Sequence, residues 1–180
     1  QMVNGQDPNP KAPRLYTEAE RRRRDATPWT LVQGVLAIVQ FAVFLVSLAL
    51  VLRYLLTGNG FTAATVSVVV KTGTLYAIMV TGSLWEKEVF GRYLFAPAFY
   101  WEDVVSMLVL ALHTGYLLVL AFGGLSPRGQ MLLVLAAYAA YAVNAAQFLL
   151  KLRKARLESP HVAPPAKRIV KPTLRWGVAR

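Results

Sequence analysis

Four of the chain's nine carboxylates, Glu86, Glu88, Glu102 and Asp103, fall within one charged and aromatic segment running from Trp85 to Asp103. Only Lys87 and Arg92 oppose them there, which leaves a local excess of negative charge. Carboxylates crowded in this way, and partly buried, hold protons more tightly than isolated ones, so at least one of the four is a candidate neutral acid at working pH. Proton donation to a bound substrate is the chemistry such a cluster can perform. A plainer role competes for Glu102 and Asp103, because acidic residues at the start of a helix complement its dipole.

A second group of reactive side chains lies in apolar surroundings. The stretches around the charged segment are long enough to cross a hydrocarbon core, which takes about 20 helical residues. They run over residues 31–52, 61–85, 104–125 and 131–150. Lys71 and His113 are the only ionisable interruptions apart from tyrosine. Stacking the four runs antiparallel puts Gln40, Lys71, His113 and Tyr141 at a common depth near the centre, where polar groups are costly and face the bundle interior. On the third run, Glu102, Ser106 and His113 fall within about 40° of one another at 100° per residue, forming one polar stripe. A lone histidine at that depth either bonds a neighbouring helix or ligates the central metal of a tetrapyrrole through its neutral imidazole. Lys71 has no carboxylate at its depth, so it must snorkel, deprotonate or meet an anionic or carbonyl-bearing ligand.

The elements that position these groups follow from the same pattern. Connections as short as Thr57-Gly58-Asn59-Gly60 and Ser126-Pro127-Arg128-Gly129 join antiparallel neighbours. The expected fold is all-α, a polytopic bundle of four transmembrane helices. Three regions are expected: a cytoplasmic N-terminal segment over 1–27, the transmembrane domain over 28–152, and a basic, Pro-rich cytoplasmic tail over 153–180. Thr17-Glu18-Ala19-Glu20 has capping-box spacing, which predicts a short helix along the membrane surface through Arg21 to Arg24. Thr27-Pro28 and Ser126-Pro127 each read as an N-cap followed by proline at the first helical position. No cleaved signal peptide is expected, because the first apolar run far exceeds a typical signal core.

Composition excludes several classes. The chain has no cysteine, so thiolate catalysis, iron–sulfur clusters and zinc–thiolate sites are ruled out. It has two histidines, one of them (His161) in the Pro-rich tail, too few for a multi-histidine metal centre. The net charge of +11 is explained by basic membrane flanks that attract anionic lipid, and no nucleic-acid partner is expected.

The segments RRRRDATPWTLVQGVLA, WEKEVFGRYLFAPAFYWEDVVSMLVLALHTGYL and SPRGQMLLVLAAYAAYAVNAAQFLLKLR closely resemble the 3-vinyl bacteriochlorophyllide hydratases of anoxygenic phototrophs, also called 2-vinyl hydratases. The resemblance runs from about Leu15 to Glu158. It implies an enzyme of the bacterial inner photosynthetic membrane that adds water to the ring-A vinyl group of chlorophyllide or bacteriochlorophyllide, giving a 1-hydroxyethyl group. The substrate would be a magnesium tetrapyrrole, no cofactor of the protein's own is expected, and other pigment enzymes or a second copy of the chain are possible partners. No catalytic assignment is carried over from the family. The residues suit the chemistry on their own terms: Glu102, Asp103, Glu86 and Glu88 are the catalytic candidates, with Trp101, Phe99, Phe95 and Tyr93 for the macrocycle faces and Arg92 or Lys71 for the propionate. His113 is a candidate ligand to the substrate magnesium or a relay, and Gln40 and Tyr141 complete the inner layer. Two rivals stay open, a non-catalytic pigment-binding or assembly subunit and, less favoured for want of an inverted repeat, a small transporter.

Seventeen of the 20 Lys and Arg residues lie ahead of the first run, in the charged segment or after the last run, against Arg53 and Arg128 on the opposite side. Both termini are therefore expected on the cytoplasmic side. A single cysteine introduced into the C-terminal tail of this cysteine-free chain should resist an impermeant thiol reagent applied from the periplasmic side. Labelling from that side would reverse the orientation.

Overall fold

The computed structural model describes residues 15–157. The N-terminal residues and most of the basic tail, including His161, lie outside that range. Within it the regular elements are all helices, with α1 at Glu18–Ala26, α2 at Trp29–Thr57, α3 at Phe61–Phe90, α4 at Tyr100–Phe122 and α5 at Pro127–Leu157. The last four are long and apolar enough to cross a membrane. At 1.5 Å per residue, a helix of 29 or 30 residues is roughly 45 Å long, longer than the roughly 30 Å hydrocarbon core. The ends of α2 and α3 therefore reach into the headgroup region.

The bundle is two antiparallel hairpins, α2 with α3 and α4 with α5, closed on each other through α2 against α5 and α3 against α4. The α2–α3 turn is tight because Gly58 and Gly60 both sit at positive φ, 73° and 88°, which a side chain would oppose. Its polarity is inverted relative to a water-soluble bundle. Leu31, Ile38, Leu56, Phe122 and Leu149 are among the most exposed residues, whereas Gln40, Ser47, Lys71, Thr72, Ser106 and His113 are buried. Hydrocarbon surroundings account for both halves of that pattern, because lipid accepts apolar side chains and satisfies no polar one.

The capping box before α1 forms as the spacing predicts, with Thr17 and Glu20 each bonding the other's backbone N–H. Ser126 caps α5, accepting from Gly129 N–H at 3.2 Å with Pro127 at the first helical position. Thr27 has a second role beside the expected one. α2 begins one residue later than the Thr-Pro pair suggests, with Pro28 at the N-cap, yet the Thr27 hydroxyl still accepts from Trp29 N–H at 3.4 Å. It also donates to Glu88 on α3, pinning the junction of α1 and α2 to the far end of the hairpin.

Polar contacts lock the helices at depth. The Ser47 hydroxyl lies 2.7 Å from that of Ser67 and 2.5 Å from that of Tyr138, joining α2, α3 and α5 at one point. Thr74 donates to Gln40 Oε1 at 2.7 Å, a second tie between α2 and α3. Phe44 fills the space beside them, with its ring against both Tyr138 and Tyr141. Ser47→Ala removes the three-way junction and strands the Tyr138 hydroxyl in an apolar interior. It should lower unfolding free energy by about 0.6–1.7 kcal/mol, the range for interhelical hydrogen bonds in membranes, measured by equilibrium unfolding in bicelles.

Candidate functional site

The end of the bundle that carries the charged segment is built from the last turn of α3, the nine-residue connection 91–99 and the first turn of α4. Gly91, at φ 80°, ends α3 in the left-handed cap geometry. Lys87 reaches over the turn to donate to the Gly91 carbonyl and sits 5.0 Å from the centre of the Tyr93 ring. Two residues on, Phe95 holds φ at 59°, the only positive φ at a non-glycine position among the described residues. A bulky residue held in that region stores strain, and such strain clusters at functional sites.

The strained backbone aims at the carboxylates. Phe95 N–H donates to Asp103 Oδ2 at 2.7 Å, and the next amide, Ala96 N–H, points at Glu86 Oε2 at 3.5 Å. Two successive amides of one turn thus draw the Glu86 and Asp103 carboxyls to the same place. Both residues are about 95% buried. That burial, and then the neighbouring Asp103 carboxyl, push the Glu86 acid up to about 8, which favours a proton on the pair.

The other two carboxylates are placed differently. Glu102 also turns inward, but its Oε2 is 2.5 Å from Lys151 Nζ of α5. Lys151 also donates to the Ala98 carbonyl and lies 5.1 Å from the centre of the Phe99 ring. Asn144, again from α5, donates to the Glu102 carbonyl at 2.9 Å and accepts from Ser106 at 3.1 Å. Glu102 is therefore a paired carboxylate that locks α4 to α5. Glu88 is exposed and receives the Thr27 hydroxyl. The four crowded carboxylates thus separate into one close buried pair, one ion pair and one surface cap.

Aromatic residues divide in the same way. Phe99 is buried at the centre of a cluster with Tyr16, Trp85, Phe90 and Phe148, and so is enclosed by protein on its faces. Burial pushes the Tyr16 hydroxyl up to about 12, so this residue, which brings the N-terminal segment under the cluster, stays neutral. Tyr93, Phe95, Tyr100 and Trp101 are exposed. Phe95, Tyr100 and Trp101 form a chain of rings 5.8 and 5.5 Å apart beside the carboxyl pair, with exposed Arg92 on the same connection.

The inner layer assembles as its depth predicts. Lys71 Nζ lies 3.8 Å from the centre of the Tyr141 ring, His113 packs on Tyr138 at 5.8 Å, and Gln40 reaches the Lys71 turn through Thr74. Lys71, His113, Gln40 and Tyr141 are all buried and enclosed by the bundle, apart from the exposed rings at the mouth. Among the described residues no three His, Asp or Glu side chains come together as a metal site.

Lys151 and Asn144 escaped the sequence reading. Lys151 read as one more basic residue of a cytoplasmic flank, and Asn144 was not singled out in its apolar run. The signal that could have found Asn144 is its burden as a polar residue deep in a span.

Residues 16–154 match the family model described as 2-vinyl bacteriochlorophyllide hydratase. The chain is similar to the 2-vinyl bacteriochlorophyllide hydratase of Rhodobacter capsulatus, with 62% identity over 84% of this chain and 88% of that protein. It is likewise similar to the one from Cereibacter sphaeroides, with 63% identity over 85% of this chain and 96% of that protein. No solved structure matches the chain.

Lys151→Met removes the charge paired with Glu102 and should destabilise the protein toward the low end of the roughly 3–5 kcal/mol seen when a buried pair is broken, since Lys151 retains some solvent contact. Adding Glu102→Gln should recover part of that loss, and thermal unfolding of the two single variants and the double variant measures it. Additive losses would mean that the pair is not coupled.

Proposed function

The chain belongs to the 2-vinyl bacteriochlorophyllide hydratase family and is a hydratase of bacteriochlorophyll biosynthesis, and from that premise we propose that its chemistry runs through the Glu86–Asp103 pair. The observation that carries this reading is the buried carboxyl pair held under two successive backbone amides, beside an exposed run of aromatic rings.

Hydration of a vinyl group on a conjugated macrocycle begins with protonation of the terminal CH2 carbon. The C–H bond forms from the π electrons of the vinyl group, and the adjacent carbon becomes a cation delocalised into the ring. The Glu86–Asp103 pair supplies that proton and is left with both carboxylates ionised. Two negative charges in one buried site then favour the cation electrostatically. Water attacks the cationic carbon to form the C–O bond, and its surplus proton returns to the pair, which regains its starting state. One water is consumed, no electrons are transferred, and this sequence needs no cofactor beyond the substrate.

The exposed rings of Phe95, Tyr100 and Trp101 offer flat apolar faces to the macrocycle, and Arg92 is placed to meet an anionic edge. A site at the rim rather than at mid-membrane gives the pigment entry from the lipid side and water entry from the aqueous side. This reading takes the protein to be an integral component of the bacterial inner membrane, with the magnesium tetrapyrrole as substrate. Assembly with a second copy or with neighbouring pigment enzymes is compatible with its apolar outer surface.

The test is incubation of the detergent-purified protein with vinyl bacteriochlorophyllide in 18O-labelled water, followed by mass analysis. The expected product carries one labelled oxygen; a pigment carrier would return the vinyl compound unchanged. Glu86→Gln and Asp103→Asn should each lower turnover by about 10²-fold or more, the scale of general acid catalysis. Glu88→Gln should leave turnover near that of the parent chain, because Glu88 faces solvent. Near-normal turnover in both pair variants, with folding intact, would move the acid to another residue.

A further inference from the structure

Half of the buried side-chain polar atoms that lack a protein partner among the described residues lie on facing parts of α3 and α4: Thr65 Oγ1, Lys71 Nζ, His113 Nε2 and Tyr116 OH. Three of those side chains are at most 1% exposed. Buried polar groups that carry no hydrogen bond are rare in native proteins, and several in one place indicate a polar ligand. They are also adjacent. Lys71 packs on Tyr141 and His113 on Tyr138, two tyrosines one turn apart on α5 that both touch Phe44, and Tyr116 is one helical turn from His113 on the same face of α4.

The donor and acceptor pattern selects the ligand. His113 Nδ1 is 2.8 Å from the Val109 carbonyl. A carbonyl only accepts, so Nδ1 carries the hydrogen and Nε2 of the neutral ring presents a lone pair. Lys71 Nζ offers N–H donors, and Tyr116 both donates and accepts. A metal cation would meet the lysine, and an anion would meet the bare imidazole nitrogen. Water both donates and accepts, and a buried water typically makes about three hydrogen bonds.

We propose that Lys71, His113 and Tyr116 enclose a mid-membrane hydration site, in which water donates to His113 Nε2 and accepts from Lys71 Nζ. The site is separate from the carboxyl pair and stands whether or not that pair is the acid. It explains how a lysine with no carboxylate at its depth is accommodated in a closed bundle: the water takes the place of a counter-group. One turn toward the mouth on α5, Asn144 follows Tyr141 and bonds Ser106 of α4, so polar groups continue from this site toward the ion pair of Glu102.

Hydroxyl-radical footprinting by X-ray radiolysis of the pigment-free protein tests the proposal, because radicals born on a bound water label the side chains that line it. Tyr116 and Tyr138, both almost fully buried, should be oxidised, and in 18O-labelled water the added oxygen should carry the label. Absence of label on both, while exposed Tyr93 and Tyr100 react, would overturn the proposal. The double substitution Lys71→Met with His113→Leu should abolish labelling of Tyr116 with helicity retained. Undiminished labelling there would equally overturn it, and should the double variant fail to fold, the result on the parent chain decides alone.

Discussion

Hydrocarbon can solvate none of the polar atoms this chain carries into the membrane, and the rest of the structure depends on that constraint. Every hydroxyl, amide and charge at depth has to turn inward and find company there. Ser47 shared between Ser67 and Tyr138, Thr74 bonded to Gln40, and Asn144 bridging Ser106 and the Glu102 carbonyl are the consequences. These bonds set rotation and register between helices whose outer faces, made of Leu, Val and Phe, are too uniform to do so. In water the apolar residues would choose the core. Here the polar residues choose it, and Phe44, Val51, Val68 and Met131 fill the space between them.

At the mouth the same constraint acts on charge. Four carboxylates brought to one end of a bundle cannot all be ionised and buried, and the fold resolves the conflict by assigning each a different partner. Lys151 neutralises Glu102, Thr27 and solvent take Glu88, and the remaining two lie together under the Phe95 and Ala96 amides. The lysine therefore matters beyond its own ion pair. By holding Glu102 against α5 it keeps that carboxylate occupied while the adjacent Asp103 faces Glu86. The strained Phe95 backbone completes the arrangement, because only its left-handed turn aims two consecutive amides at the two acids.

Sequence periodicity was enough to locate the spans, the caps at Thr17 and Ser126, and the common depth of Gln40, Lys71, His113 and Tyr141, since each depends on local spacing or on counting along a helix. It identified the four mouth carboxylates without ranking them. Ranking required knowing which residue of α5 arrives at the start of α4, 49 positions away in the case of Lys151 and Glu102, and no local pattern encodes that. Phe99 shows the same limit: it sits among aromatic residues that are exposed, but the turn that opens α4 directs its ring inward against Phe148 and Tyr16. Thr27 was legible as a cap, and its hydroxyl does accept from Trp29 N–H, but its bond to Glu88 depends on a residue a full hairpin away.

The separation of the two polar layers bears on how such a bundle could run an addition of water. Glu102 and His113 are 11 residues apart on α4, about 16 Å along the axis, so one small functional group cannot engage both layers. A carbocation generated near the inner layer would meet the Lys71 side chain, whose N–H donors stabilise anions and not cations, whereas at the mouth it would face two carboxylates. On the proposed reading, this charge distribution suits cation-forming chemistry to the rim, and the inner layer holds the helices together. This division also lets the rim carry backbone strain, because the helices that support it are tied to one another below by hydrogen bonds that take no part in the reaction.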